Sequence, residues 1–391
     1  LILIDPTIIT SGDSSSLEDS SFYGLNAAVP ATSGSNITIS GGTVTTSGSG
    51  ANGVFSTGSG TIISLSGVTI SATGQGGHGV DATYEGILVL SNVNITTAGA
   101  NGAAIATDRG GGTIDVSGGT VFTSEADSPG IYSTGTITAV GTIIASTGAE
   151  AAVIEGFNSI NLTDVTLSGE KKWGVMIYQS MSGDASVGTG IYTMTGGSLT
   201  AAVGPAFYVT NTEAIITLKG GAQVTSDSGI LLSAAAGNWG QSGSNGGSVT
   251  FTANNETLSG DMITDSISSI TATLENHTTL IGYIDFAALT LDSTSIWNVT
   301  ADSVLTSFID VDGISGTNIT NIYGNGHTVY YDAGLAANSA LGGLTYSLIN
   351  GGELTPQTAN QNAIDALIWI VPIGIIAIAA VVIVAVYRKK M

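Results

Sequence analysis

The sequence predicts an all-β protein: a right-handed parallel β-helix, a solenoid with three short strands per coil, plus one C-terminal transmembrane helix. Three observations carry this. A small residue, an apolar residue and a short strand recur together, as GVFST from Gly53, GVDAT from Gly79, AIATD from Ala104 and GIYST from Gly130. The same phrase returns as AVIEG from Ala152, GVMIY from Gly174, AFYVT from Ala206 and GILLS from Gly229. Two further β-branched runs fall between successive anchors. Finally, residues 366–386 form one run of 21 residues without a charge.

The anchors are Val54, Val80, Ile105, Ile131, Val153, Val175, Phe207 and Ile230, with gaps of 26, 25, 26, 22, 22, 32 and 23 residues. A fixed period of roughly 20–50 residues marks stacked repeats. Residues 62–65 and 68–72 are split by Ser66-Gly67, residues 87–90 and 93–97 by Ser91-Asn92, and residues 160–162 and 165–167 by Thr163-Asp164. Such runs read as strands, and Gly, Asn and Asp between them as tight turns. Three strands in so short a period fit one β-helix coil; propeller blades need about 40 residues or more. The pattern extends upstream to Leu25 and to strand-like residues 1–10. Downstream it weakens, and residues 329–348 are the expected lower cap. The extracellular β-helix is therefore placed at residues 1–348 and a stalk at 349–363.

Residues 364–387 are the expected membrane helix. At about 1.5 Å per residue it would cover the ~30 Å of a bilayer core. Trp369 and Tyr387 stand near its ends, and Arg388, Lys389 and Lys390 follow in a basic tail, residues 388–391. Interfacial aromatics and the positive-inside rule put this tail in the cytoplasm and the repeats outside, at the cell surface. The first residue, Leu1, fits either a removed export signal or an excerpt of a longer protein. Residues 354–359, LTPQTA, resemble a cell-wall sorting motif interrupted by Thr355, with Ala359 where Gly is usual; a plain stalk is the simpler reading.

Composition narrows function. The 391 residues contain 56 Gly, only 9% charged residues and no Cys, so thiol catalysis and disulfides are excluded. Net charge is −22. Outside the tail, four cations (Arg109, Lys171, Lys172, Lys219) face 29 acids. Such a surface repels phosphate backbones, so nucleic acid is not an expected partner.

The stretch SIWNVTADSVLTSF, residues 295–308, has a Trp-x-Val-Thr-x-x-Ser pattern. With the repeated small-apolar anchors it resembles the β-helical adhesin-like and autotransporter-passenger group, over about residues 25–348. A single apolar helix replaces the group's usual outer-membrane barrel. The resemblance implies a surface-exposed adhesive or structural role, with no catalytic residue carried over.

The richest candidate chemistry is residues 169–184, GEKKWGVMIYQSMSGD, which precede or overlap the longest gap. Lys171, Lys172, Trp173, Tyr178 and Gln179 combine cations, rings and an amide, a set suited to glycans or anionic polymers. Phe55, Tyr132 and Tyr208 directly follow their anchors, so alternation points them outward as an aromatic stripe. Asp81, Asp108 and Glu155 occupy nearby places in successive coils and read as solvated or turn carboxylates rather than as a catalytic set. Asp310, Asp312 and Gly313 open like a calcium loop without its later ligands. His78, His277 and His327 lack ligand spacing. No metal site, cofactor or enzymatic activity is expected. The expected function is a membrane-anchored surface rod in adhesion or envelope structure, with glycans, surface proteins or copies of itself as partners. The alternatives are a polysaccharide lyase or hydrolase of β-helical shape and a self-assembling sheath or filament subunit.

Overall fold

A computed structural model describes residues 1–310 and 312–357. The expected transmembrane helix and basic tail lie outside the described residues. Among the described residues no helix is long and apolar enough to cross a membrane.

The chain forms a stack of parallel strands of β-helical form. Each full coil has three. In one coil they are Val54–Thr57, Ile62–Ser66 and Thr69–Ala72; in the next, Val80–Thr83, Gly86–Ser91 and Asn94–Thr97. Equivalent strands pair with those of the coils above and below. Third strands form their own nine-stranded sheet, from Thr7–Thr10 to Gln223–Ser226, while first and second strands belong to a 31-stranded sheet.

The interior follows from period-2 alternation. Ile63, Leu65, Leu88, Leu90, Ile114 and Val116 face inward in adjacent second strands, in register, and are at most 4% exposed. The row Val54, Val80, Ile105 and Ile131 does the same in the first strands. Burying each such side chain contributes about 1.5–3 kcal/mol, and stacking like on like leaves few voids.

Two anchors shift from their expected places. Ile131 pairs with Ala152, which sets Val153 in the outward row beside Tyr132. Phe207 pairs with Leu232 rather than Ile230, because a bulge interrupts the strand Ile230–Ala234. In both places consecutive apolar residues made alternation ambiguous.

Corners between second and third strands turn on residues that accept positive φ. Gly119 (φ +81°) is typical: an added Cβ would lie 2.1 Å from the Val93 carbonyl oxygen one coil above. Both the angle and the contact exclude a side chain there.

A short helix, α1 (Leu17–Tyr23), was not expected. Ser16 caps it, its Oγ accepting from the Asp19 amide at 3.1 Å, and Gly24 ends it at φ +69°. α1 lies across the outward row of the first strands. The Thr83 hydroxyl donates to the Phe22 carbonyl at 3.0 Å, and the Phe55 ring packs against Gly24. Phe55 does point out of its strand, as alternation requires, but α1 covers it completely. It is not part of an exposed stripe.

The lower end closes with a 3₁₀ turn, Ala336–Leu341, and two antiparallel pairings, among them Tyr346–Ile349 with Glu353–Pro356. Strands thus continue past residue 348, and Glu353–Pro356 also pairs with Thr328–Tyr331. Leu354, part of the sorting-like stretch, is fully buried. Trp297 of the family-like stretch is a core residue whose Nε1 donates to the Gly282 carbonyl at 3.0 Å.

Ile114→Ala removes a branched chain from the middle of the interior stack. It should cost about 2–5 kcal/mol, read as a lowered midpoint in urea unfolding. Gly119→Ala, which adds one methyl group, should also destabilise, through backbone strain and contact.

Candidate functional site

The side chains with the most chemistry meet on the outward face of the first strands. Seven rungs contribute to it in order: Phe55, Asp81, Ala106, Tyr132, Val153, Met176 and Tyr208. α1 covers the upper part of this row. The lower part is an open cleft.

The cleft has a volume of about 150 Å³. Its floor is Tyr132, Val153 and Met176. One wall is Asp127, Glu150 and Lys172; the other is Tyr178 and Trp239. Lys172 Nζ lies 2.6 Å from Asp127 and 3.3 Å from Glu150. Those carboxylates favour the charged amine, and its pKa is raised although burial opposes the shift. Trp239 stands on a loop whose path Asn245 fixes: the Asn245 amide donates to the carbonyls of Gly237 (2.8 Å) and Trp239 (2.9 Å). Its ring meets Tyr178 at 4.8 Å between centroids, inclined at 59°. One coil further, Trp173 stacks on Tyr208 at 4.4 Å. Gly204 leaves room for this indole, since a Cβ there would sit 2.5 Å from its Cδ1.

The longest repeat gap resolves into a loop, residues 179–189, between the strands Val175–Tyr178 and Gly190–Thr195. The candidate stretch 169–184 therefore spans two corners rather than one loop. Lys172 and Trp173 precede the strand and Gln179 follows it. Tyr178 and Lys172 reach the cleft, and Trp173 flanks it. Lys171 is exposed outside it. Gln179 is 2% exposed, with its side chain folded against Gly156 rather than into the cleft. Its carbonyl accepts from Asn211 Nδ2 at 2.6 Å. Gln179 is thus kept out of the cleft, because the inserted residues close over it.

Glu155 holds that loop to the rod. Its carboxylate accepts from Tyr132 Oη (2.6 Å), Tyr178 Oη (3.0 Å), the Ser180 amide (3.2 Å) and the Ser180 hydroxyl. Burial, together with this nearby carboxylate, raises the pKa of both phenols, so they remain neutral donors. Midway along the loop Asp184 accepts from Arg109 Nη2 at 3.0 Å, and the guanidinium lies 3.7 Å over the Phe22 ring.

The three carboxylates read as solvated are not. Asp81, Glu155 and Asp108 are 0%, 1% and 8% exposed. α1 and the inserted loop cover them, and neither was visible as a lid in the sequence. Burial pushes the Asp108 carboxyl up to about 7, with Asp184 and Glu155 adding to the rise and the Arg109 amide and charge opposing it. Burial, then Asp108, raises Asp81 as well. Both therefore hold protons where free carboxyls would not.

Beyond the loop lie two adjoining recesses of about 410 and 400 Å³, sharing Gly110, Gly111, Phe157 and Asn158. They are larger than the cleft, but Phe157 is the one ring that lines either, and no cation does. Among the described residues no group of three His, Asp or Glu side chains can hold a metal ion. Asp310 instead accepts from the Gly313 amide at 2.9 Å. His78 is buried, which lowers its pKa to about 4.

No protein-family model matches the chain, and no curated protein sequence matches it.

Sequence reasoning missed two contributors, Met176 and Glu150, and left open Trp239, which lies in a Gly/Ser-rich loop with no periodicity to place it. Met176 read as an ordinary strand residue. Glu150 stands in the corner preceding its strand, where only the coil-to-coil register brings it to Lys172.

The raised carboxyls make α1 docking sensitive to pH. A carboxyl whose folded pKa exceeds its unfolded value favours folding below about pH 4 and loses that contribution as pH rises through its folded pKa. For Asp108 the loss falls between about pH 4 and about pH 7. His78 acts oppositely over a similar range, since its folded value is depressed. The difference between wild type and Asp108→Asn isolates the carboxyl: hydrogen exchange of residues 17–23 should accelerate from pH 5 to pH 8 in wild type more than in the variant. Glu155→Ala should speed exchange in residues 179–189 at every pH.

Proposed function

We propose that this chain is a membrane-anchored surface rod that binds carbohydrate through the cleft at Tyr132, Lys172, Tyr178 and Trp239, and acts in adhesion or envelope attachment. The observation that carries this is the pair of ring contacts, Tyr178–Trp239 and Trp173–Tyr208, set beside the Lys172–Glu150 ion pair on an open cleft. Sugar rings have apolar C–H faces and hydroxyl rims. Aromatic side chains cover the former, and a carboxylate next to an ammonium offers an acceptor and donors to the latter. The rigid coils fix these groups in advance, which lowers the entropic cost of binding.

Binding without turnover is the reading favoured by Glu155. Its oxygens are taken up by four donors from the surrounding protein, which suits holding a loop rather than proton transfer. The anchor rests on the charge-free residues 366–386 and the basic residues after them.

The test is a glycan array probed with the full chain in a non-ionic detergent. At least one oligosaccharide class should be retained. Trp239→Ala and Lys172→Ala should each weaken retention roughly tenfold or more, and Lys171→Ala should leave it unchanged. Bound oligosaccharide should be recovered at its original length. No retention by wild type, or equal retention by Trp239→Ala, would sink the proposal.

A further inference from the structure

The face of the third strands differs in charge from the rest of this acidic molecule. It is made by nine parallel strands, from Thr7–Thr10 to Gln223–Ser226. Each strand turns two side chains outward, and none of these is charged, in a chain with 29 acidic residues. By contrast the second strands turn out Asp115, Glu213, Lys219 and Glu275.

The outward residues of the third strands are Thr, Ser, Asn or Gln except at four places: Ile9, Phe122, Ile143 and Ala145. Three of the four are together. Thr120–Thr123 and Ile143–Ser146 are the fifth and sixth strands of the nine, and they pair directly, Phe122 opposite Ala145 and Thr120 opposite Ile143. Phe122 is 41% and Ile143 54% exposed. The face thus has an apolar centre and a neutral hydroxyl surround, the anatomy of a protein interface.

We infer that two copies of this chain pack together through the face of the third strands, with Phe122 and Ile143 of each at the centre of a two-fold contact. Charge selects the occupant. Two bodies of net charge −22 repel wherever their carboxylates approach, and a charge-free face spares them that cost. An apolar cluster at mid-length also suits self-complementarity, since a two-fold axis through it brings each cluster onto its equal. Nine strands at ~4.8 Å spacing and about 13 Å of strand length give roughly 500 Å² on each copy. That is below the ~800 Å² per partner of a standard stable interface, so association depends on concentration and is favoured where copies share a membrane. The inference is independent of the glycan cleft, which lies on a different row of strands.

The experiment is sedimentation velocity of the full chain in a non-ionic detergent, over a concentration series. Wild type should move from monomer to dimer, and raising salt should tighten the dimer by screening the repulsion. Phe122→Asp should weaken it at least tenfold, while Ile215→Asp, on the exposed face of a second strand, should not. Both variants replace outward residues, and circular dichroism checks that both remain folded. Because the chain lacks cysteine, Ile143→Cys provides a second readout: a short bis-maleimide should give a covalent dimer, and Ile215→Cys should not. A wild type that stays monomeric throughout, open-ended assembly, weakening by salt, or a dimer indifferent to Phe122→Asp would each overturn the inference.

Discussion

The coil-to-coil register is the constraint on which the rest of this structure depends. Each strand hydrogen-bonds to its equivalent one turn above and below, so a residue's position within its coil decides what it touches. Because side chains alternate, a slip of one residue would send an entire interior row to the outside. The register is held by matching rows of Val, Ile and Leu and by corners that only Gly or a few other residues can turn. The cleft inherits its precision from this: Tyr132, Glu155 and Tyr178 belong to three successive coils, and the register sets Tyr178 opposite Glu155 and Tyr132 on the diagonal to it, so both phenols reach one carboxylate.

The repeat was legible because small-apolar anchors are local and recur. Val54, Val80, Ile105 and Ile131 stack as their spacing implies. The frame failed at Val153 and Ile230, where neighbouring residues are also apolar and hydrophobicity alone cannot say which one faces in. α1 escaped notice because it is only seven residues long and buries little. Its position against Phe55 is a long-range fact that no local pattern encodes.

The site was half legible. Tyr132, Tyr178 and Tyr208 gather on one face, since outward positions of successive coils are neighbours, and Lys172 and Trp173 join them from the corner before Val175–Tyr178. What alternation could not supply was the cover over that face. A side chain that leaves its strand outward is exposed only if nothing lies above it. α1 over Phe55 and Asp81, and the inserted loop over Gln179, turn outward positions into buried ones. The same covering explains why carboxylates that look solvated in sequence hold protons in the folded chain.

Arg109 gives this cover a mechanical meaning. A stacked rod pulled from one end peels, losing one coil's ladder at a time, because each coil is bonded only to its neighbours. The Arg109 side chain breaks that rule. It rests on the Phe22 ring, reaches Glu18 at 3.9 Å and holds Asp184 at 3.0 Å, so one cation from the middle of the stretch clasps the N-terminal helix to the inserted loop of a later coil. Peeling of the upper coils therefore has to release this clasp, from residue 18 to residue 184, in addition to the backbone ladder of each coil.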